Sequence, residues 1–191
     1  MPDLDPATTA LVLIDLQNGI IGMDVAPRTG PDTVAAGQAL ATRFRTAGAP
    51  VVLVHVAFAP DFSDAPPGLV DQALSAPPGG LPAQWSELAE GLAQPGDLLV
   101  RKRQWGAFTG TELDLLLRRR GIGSVVIGGI ATNFGVESTA RHAWELGYHV
   151  VIAEDACTSV SAEAHGFAIT HVLPRVARVV QIADISLPRR A

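Results

Sequence analysis

The chain has 191 residues, enough for one good-sized domain with a layered core, and 48% of them are apolar. A net charge of −5 argues against a nucleic-acid partner, because phosphate binding needs a basic face. No apolar run approaches the roughly 20 residues that cross a bilayer. The first residues lack the basic and apolar regions of a signal peptide, and the single cysteine, Cys157, excludes an internal disulfide or a Cys-cluster zinc site. A cytoplasmic protein with no membrane partner is expected, folded as one domain over residues 1–191.

In chain order, residues 11–14 form a continuous apolar run that ends at Asp15, as a strand buried on both faces of a parallel sheet would. Gly30-Pro31-Asp32 starts a helix with proline near its first position, and the pattern lasts to Ala47 before Gly48. Residues 51–56 read as a second buried strand. Residues 57–82 carry six of the 14 prolines and no sustained periodicity, which suits a lid or binding rim, and a short helix is predicted over 84–92.

Residues 97–103 read as a third strand, whose alternation sets Lys102 apart from Arg101 and Arg103. A helix is predicted over 111–120, with Thr109 or Thr111 as cap, Leu113, Leu116 and Leu117 as its apolar face, and Gly121 at its end. A fourth strand at 124–127, a helix at 134–146, a fifth strand at 148–153, a helix at 161–173 and a sixth strand at 177–182 follow. This alternation predicts a three-layer α/β sandwich around a parallel sheet, with ligands bound beyond the carboxyl ends of the strands. Asp15, Lys102 and the turn at 130–135 all fall at such ends.

That turn reads Gly128-Gly129-Ile130-Ala131-Thr132-Asn133-Phe134-Gly135-Val136-Glu137-Ser138-Thr139-Ala140-Arg141. Strand, glycine-rich turn and helix start aim backbone N–H groups at whatever lies in front of them. The Gly-x-Gly-x-x-Gly spacing of dinucleotide binding is absent, as is the Gly-x-Ser-x-Gly elbow of an α/β-hydrolase. Read singly, Asp15 could be a cap and Lys102 a solvated charge.

Together with Leu13-Ile14-Asp15-Leu16-Gln17-Asn18, the block from Arg101 to Leu113 and Glu154-Asp155-Ala156-Cys157, the turn resembles the isochorismatase-like hydrolases, or cysteine hydrolases, over nearly the whole chain. The resemblance implies a six-stranded parallel sheet of isochorismatase-like (Rossmann-like) topology, in order 3-2-1-4-5-6. It also implies a homo-oligomer, dimer or tetramer. Asp15 would be the acid/base and Lys102 its cationic neighbour. A cis peptide would fall at Ile130–Ala131, and the N–H groups of Ala131 and Gly135 would form an oxyanion hole. That order puts the third strand at the edge, about 9–10 Å from the first, so Lys102 has to reach inward to meet Asp15.

The family's nucleophile is a cysteine, and here its position holds Gly135. Glycine cannot form an acyl-enzyme, so a thiol-free reaction is expected, with Asp15 as general acid in a vinyl-ether cleavage as one form of it. A catalytically silent small-molecule binder is the alternative. The candidate pocket lining is Gln17, Phe58, Trp105, Phe108, Thr132 and Phe134. Other members bind zinc through an Asp and two His after the second strand. Residues 57–64 offer no histidine, and His142, His149, His165 and His171 match no ligand spacing, so neither metal nor cofactor is expected. The expected partner is a small, fairly apolar substrate.

Overall fold

The computed structural model describes residues 4–66, 68–73 and 77–188. The apolar run before Asp15 forms β1 (Thr9–Ile14), buried at every position as a strand covered on both faces must be. A short helix, α1 (Asn18–Ile21), follows, and α2 (Gly30–Thr46) is the long helix of the N-terminal half. Its start is fixed chemically. The Thr29 hydroxyl accepts from the Asp32 N–H, and Pro31 occupies the first turn, where no N–H is needed.

The sheet continues with β2 (Val51–Val56), β3 (Leu98–Lys102), β4 (Ser124–Ile130), β5 (His149–Thr158) and β6 (Arg178–Val180). All pairings are parallel, and the six strands lie in the order β3-β2-β1-β4-β5-β6. Between them run α3 (Leu113–Arg118), a π-helical turn (Thr132–Val136) leading into α4 (Glu137–Glu145), and α5 (Ala162–Phe167). The expected three-layer α/β sandwich is therefore present. Leu11 and Leu13 of β1 pack with Leu40, Ala41 and Phe44 of α2 on one face. Val12 and Ile14 pack with Leu113 and Leu117 of α3 and Ala140 and Ala143 of α4 on the other.

Two elements differ from the sequence reading. Residues 84–92 form no helix: they make isolated turns, Glu87 N–H to Gln84 O and Leu92 N–H to Ala89 O, and other backbone groups bond to the chain after β1. Asn18 N–H donates to Glu87 O, Gly19 N–H to Trp85 O, and Ala89 N–H to Leu16 O. The second difference is the length of β5. Ile127 of β4 faces Ile152, but Gly129 faces Cys157, so β5 bulges through Ala153–Ala156 and resumes its pairing. Gly129 sits at this step with φ +124, and a Cβ there would lie 2.1 Å from the Ile14 carbonyl oxygen. Only glycine lets β4 and β1 approach so closely.

Candidate active site

Strict alternation along β1 would send Asp15 to the α2 face with Leu11 and Leu13. Asp15 instead has φ 53, in the left-handed region that Asp tolerates better than most residues. Its carboxylate consequently lies on the side of Ile14 and meets Lys102, with Nζ 2.6 Å from Oδ2. Lys102 reaches this point from edge strand β3, across β2. Its ammonium also donates to the carbonyls of Gln104 (3.1 Å) and Trp105 (2.9 Å). An ammonium has three N–H donors, and all three are used. Lys102 is held in place by these contacts.

The carboxylate is only half satisfied. Asp15 is 6% exposed, and its buried Oδ1 has no hydrogen-bond partner. Burial pushes its carboxyl up from 3.8 to about 6, against the Lys102 ammonium, which pulls it down. The group can therefore hold or lose a proton near neutral pH.

The turn after β4 closes the site. The Ile130–Ala131 peptide is cis. The N–H groups of Phe134 and Val136 both donate to the Ala131 carbonyl, at 3.0 and 3.1 Å. Among the described residues, neither the Ala131 nor the Gly135 N–H donates to a backbone acceptor outside the turn. A Cβ at Gly135 would lie 2.9 Å from Ile14 Cγ2, 3.3 Å from Asp15 Oδ2 and 3.5 Å from Lys102 Nζ. The three chemistry-bearing positions named from the sequence thus converge within van der Waals contact.

The candidate pocket residues divide. Phe134 stacks on the exposed Trp105, with ring centroids 4.7 Å apart, and the Trp105 carbonyl caps Lys102. Phe58 lines a cavity of about 280 Å³ with Phe62, Leu81 and Trp85, beside the carboxyl end of β2. Three others belong to the interior. Phe108 packs in the core against Tyr148 and His142. The amide of Gln17 is fully used, donating to Val56 O and Trp85 O and accepting from the Val56 N–H, so it clamps β2 to the 85–88 segment. Thr132 is buried, and its hydroxyl lies against Thr158 O and His165 Nδ1. His55 of β2 donates from Nδ1 to Ser86 O and helps hold that segment.

The stretch after β2 does not suit a metal. Asp61 accepts from Ser63, while Asp64 pairs with Arg103 and accepts from the Ala59 N–H. Among the described residues there is no group of three or more His, Cys, Asp or Glu side chains able to hold an ion. No described helix is long and apolar enough to cross a membrane.

A buried acid–ammonium pair thus faces a glycine-rich turn at the carboxyl edge of a parallel α/β sandwich. Residues 9–184 match the isochorismatase domain, and the chain belongs to that family of hydrolases. It is 48% identical to the isochorismatase family protein YecD of Escherichia coli O157:H7, over 97% of this chain and 98% of the relative. It is 34% identical to the ureidoacrylate amidohydrolase RutB of Rhizobium rhizogenes, over 80% of this chain and 71% of the relative. An isochorismatase family protein of known structure from Burkholderia thailandensis superposes with a TM-score of 0.88 at 47% identity, covering 96% of each chain.

Proposed function

We propose that this chain is a thiol-independent hydrolase of a small, largely apolar molecule, with Asp15 as the proton-transferring group. The observation that carries this reading is the asymmetry of the Asp15 carboxylate: Oδ2 is held by Lys102, and Oδ1 is buried without a partner. A buried carboxyl oxygen left open beside the turn that carries the Ala131 and Gly135 N–H groups is arranged for a substrate rather than for stability. The aromatic cavity beside β2 and the Trp105–Phe134 stack support an apolar substrate. Amide hydrolysis through an acyl-enzyme needs a nucleophile, and Gly135 supplies none. RutB relatives therefore suggest the family's substrate size more than this chain's chemistry.

In the vinyl-ether form of the reaction, Oδ1–H protonates the enol carbon and the adjacent carbon becomes an oxocarbenium ion. Water adds to that cation, and its proton returns to Asp15. The resulting hemiketal collapses to a carbonyl compound and an alcohol. Lys102 keeps the carboxylate oriented throughout, and the N–H groups of Ala131 and Gly135 hold a substrate oxygen. A panel of vinyl ethers, N-carbamoyl amides and esters tests this. Turnover of a vinyl ether that is lost in Asp15→Asn is expected. Turnover of amides alone, abolished by a thiol-alkylating reagent, would overturn the reading. Saturable binding without turnover would instead assign a silent binding protein.

A further inference from the structure

The bulge in β5 turns Glu154 out of the ladder and into a cluster behind the active-site turn. There its carboxylate accepts from Arg28 Nη2 at 2.9 and 3.1 Å and from Gln181 Nε2 at 2.7 Å. His165 Nε2 lies 2.9 Å from Glu154 Oε1, and His165 Nδ1 lies 2.8 Å from the Thr132 hydroxyl. The same hydroxyl lies 3.0 Å from the Thr158 carbonyl oxygen. Both histidine and threonine are buried.

Both ends of the His165 ring are engaged. The single Thr132 hydroxyl proton serves either Thr158 O, with the hydroxyl accepting from Nδ1–H, or Nδ1 itself. A carboxylate only accepts, which requires Nε2–H at the other end of the ring. We infer that His165 is a positioning residue for the active site, held between Glu154 and Thr132 and fixing, through Thr132, the start of the turn that carries the Ala131 and Gly135 N–H groups. Arg28 and Glu154 are the charged side chains of the cluster, and Arg28 ties it to β5 again by donating from Nη1 to the Glu154 and Cys157 carbonyls. Thr132 follows the Ile130–Ala131 peptide directly, so a loosened Thr132 releases the turn from β5.

This inference rests on the proposed use of those N–H groups but is tested without turnover. Protein labelled with ¹⁵N-histidine is observed by imidazole nitrogen NMR at neutral pH, with His165 assigned through His165→Gln. Nε2 is expected to resonate as protonated, the donor to Glu154. A His165 ring with an unprotonated Nε2 would overturn the Glu154 contact on which the positioning rests. In His165→Gln and in the milder Glu154→Gln, the amides of residues 131–135 should shift and exchange about tenfold faster than in the wild type, on the scale of a local opening. Shifts confined to α5 and β5, with the turn unchanged in both variants, would overturn the positioning role even if Nε2 carries its proton.

Discussion

Two charge clusters flank the turn after β4, a buried one toward β1 and a partly buried one toward β5, and they are finished differently. In the Arg28–Glu154–His165 cluster both carboxylate oxygens are engaged, and hydrogen bonds from Gln181, His165 and Arg28 outweigh burial and hold the Glu154 carboxyl below its ordinary range. In the Asp15–Lys102 pair the ammonium is complete but one carboxylate oxygen is open, and burial wins, raising the carboxyl to about 6. The same kinds of side chain thus give a scaffold on one side and a reactive group on the other. A closed network holds its shape, whereas an open one keeps a site for something to enter.

Removing the open group should have the largest effect on function. Asp15→Asn keeps the shape but cannot carry the proton, and activity on any substrate from the panel is expected to fall by about 10²–10⁴-fold. If Asp15 acts as general acid, kcat/KM of the wild type should decline as pH rises through about 6, where the carboxyl loses its proton. If it acts as base, the profile should rise through the same region. Stability has a definite sign here too. The folded-state value lies above the unfolded 3.8, so this group's contribution is full below 3.8 and is lost as pH rises through about 6.

Removing the partner instead of the acid tests the pair from the other side. Lys102→Met keeps volume and deletes the charge that compensates Asp15. Breaking a buried pair this way costs about 3–5 kcal/mol, read as a drop in denaturation midpoint at pH 7. The loss should shrink in acid, where Asp15 takes up a proton and no charge is left buried. On the closed side, Arg28→Ala leaves Glu154 with His165 and Gln181, and a milder loss of about 2 kcal/mol is expected from the missing charged hydrogen bonds. If Arg28→Ala cost as much as Lys102→Met, the distinction between the two clusters would fail.

How much of this was legible in the sequence depended on whether a feature is local. The strands announced themselves as apolar runs, because burial on both faces leaves polar residues no place, and their ends located Asp15, Lys102 and Gly135. The orientation of Asp15 was not legible: strand alternation points it to the wrong face, and only its left-handed backbone corrects that. Gln17, Phe108 and Thr132 looked like pocket residues because they sit within the motif blocks. Each faces a partner far away in sequence, at Val56, Tyr148 and Thr158 respectively. Glu154 and His165 were equally hidden. Their meeting depends on the β5 bulge, and the only trace in the sequence was an acidic pair interrupting an otherwise apolar strand.

The smallest expected effect belongs to the one residue that a cysteine-hydrolase resemblance would bring first to mind. Cys157 follows the bulge and is fully buried, with its thiol 3.3 Å from the Ala153 carbonyl oxygen. Burial pushes that thiol up to about 12, so almost no thiolate exists at neutral pH, and the thiolate is the reactive form. A serine hydroxyl can make the same bond to Ala153. Cys157→Ser should therefore leave turnover unchanged. An alkylating reagent should add no mass to the native protein and one equivalent after unfolding. Mass spectrometry of native protein that shows modification of Cys157, together with loss of turnover that substrate prevents, would make this thiol the nucleophile and would reduce the open Oδ1 of Asp15 to a supporting role.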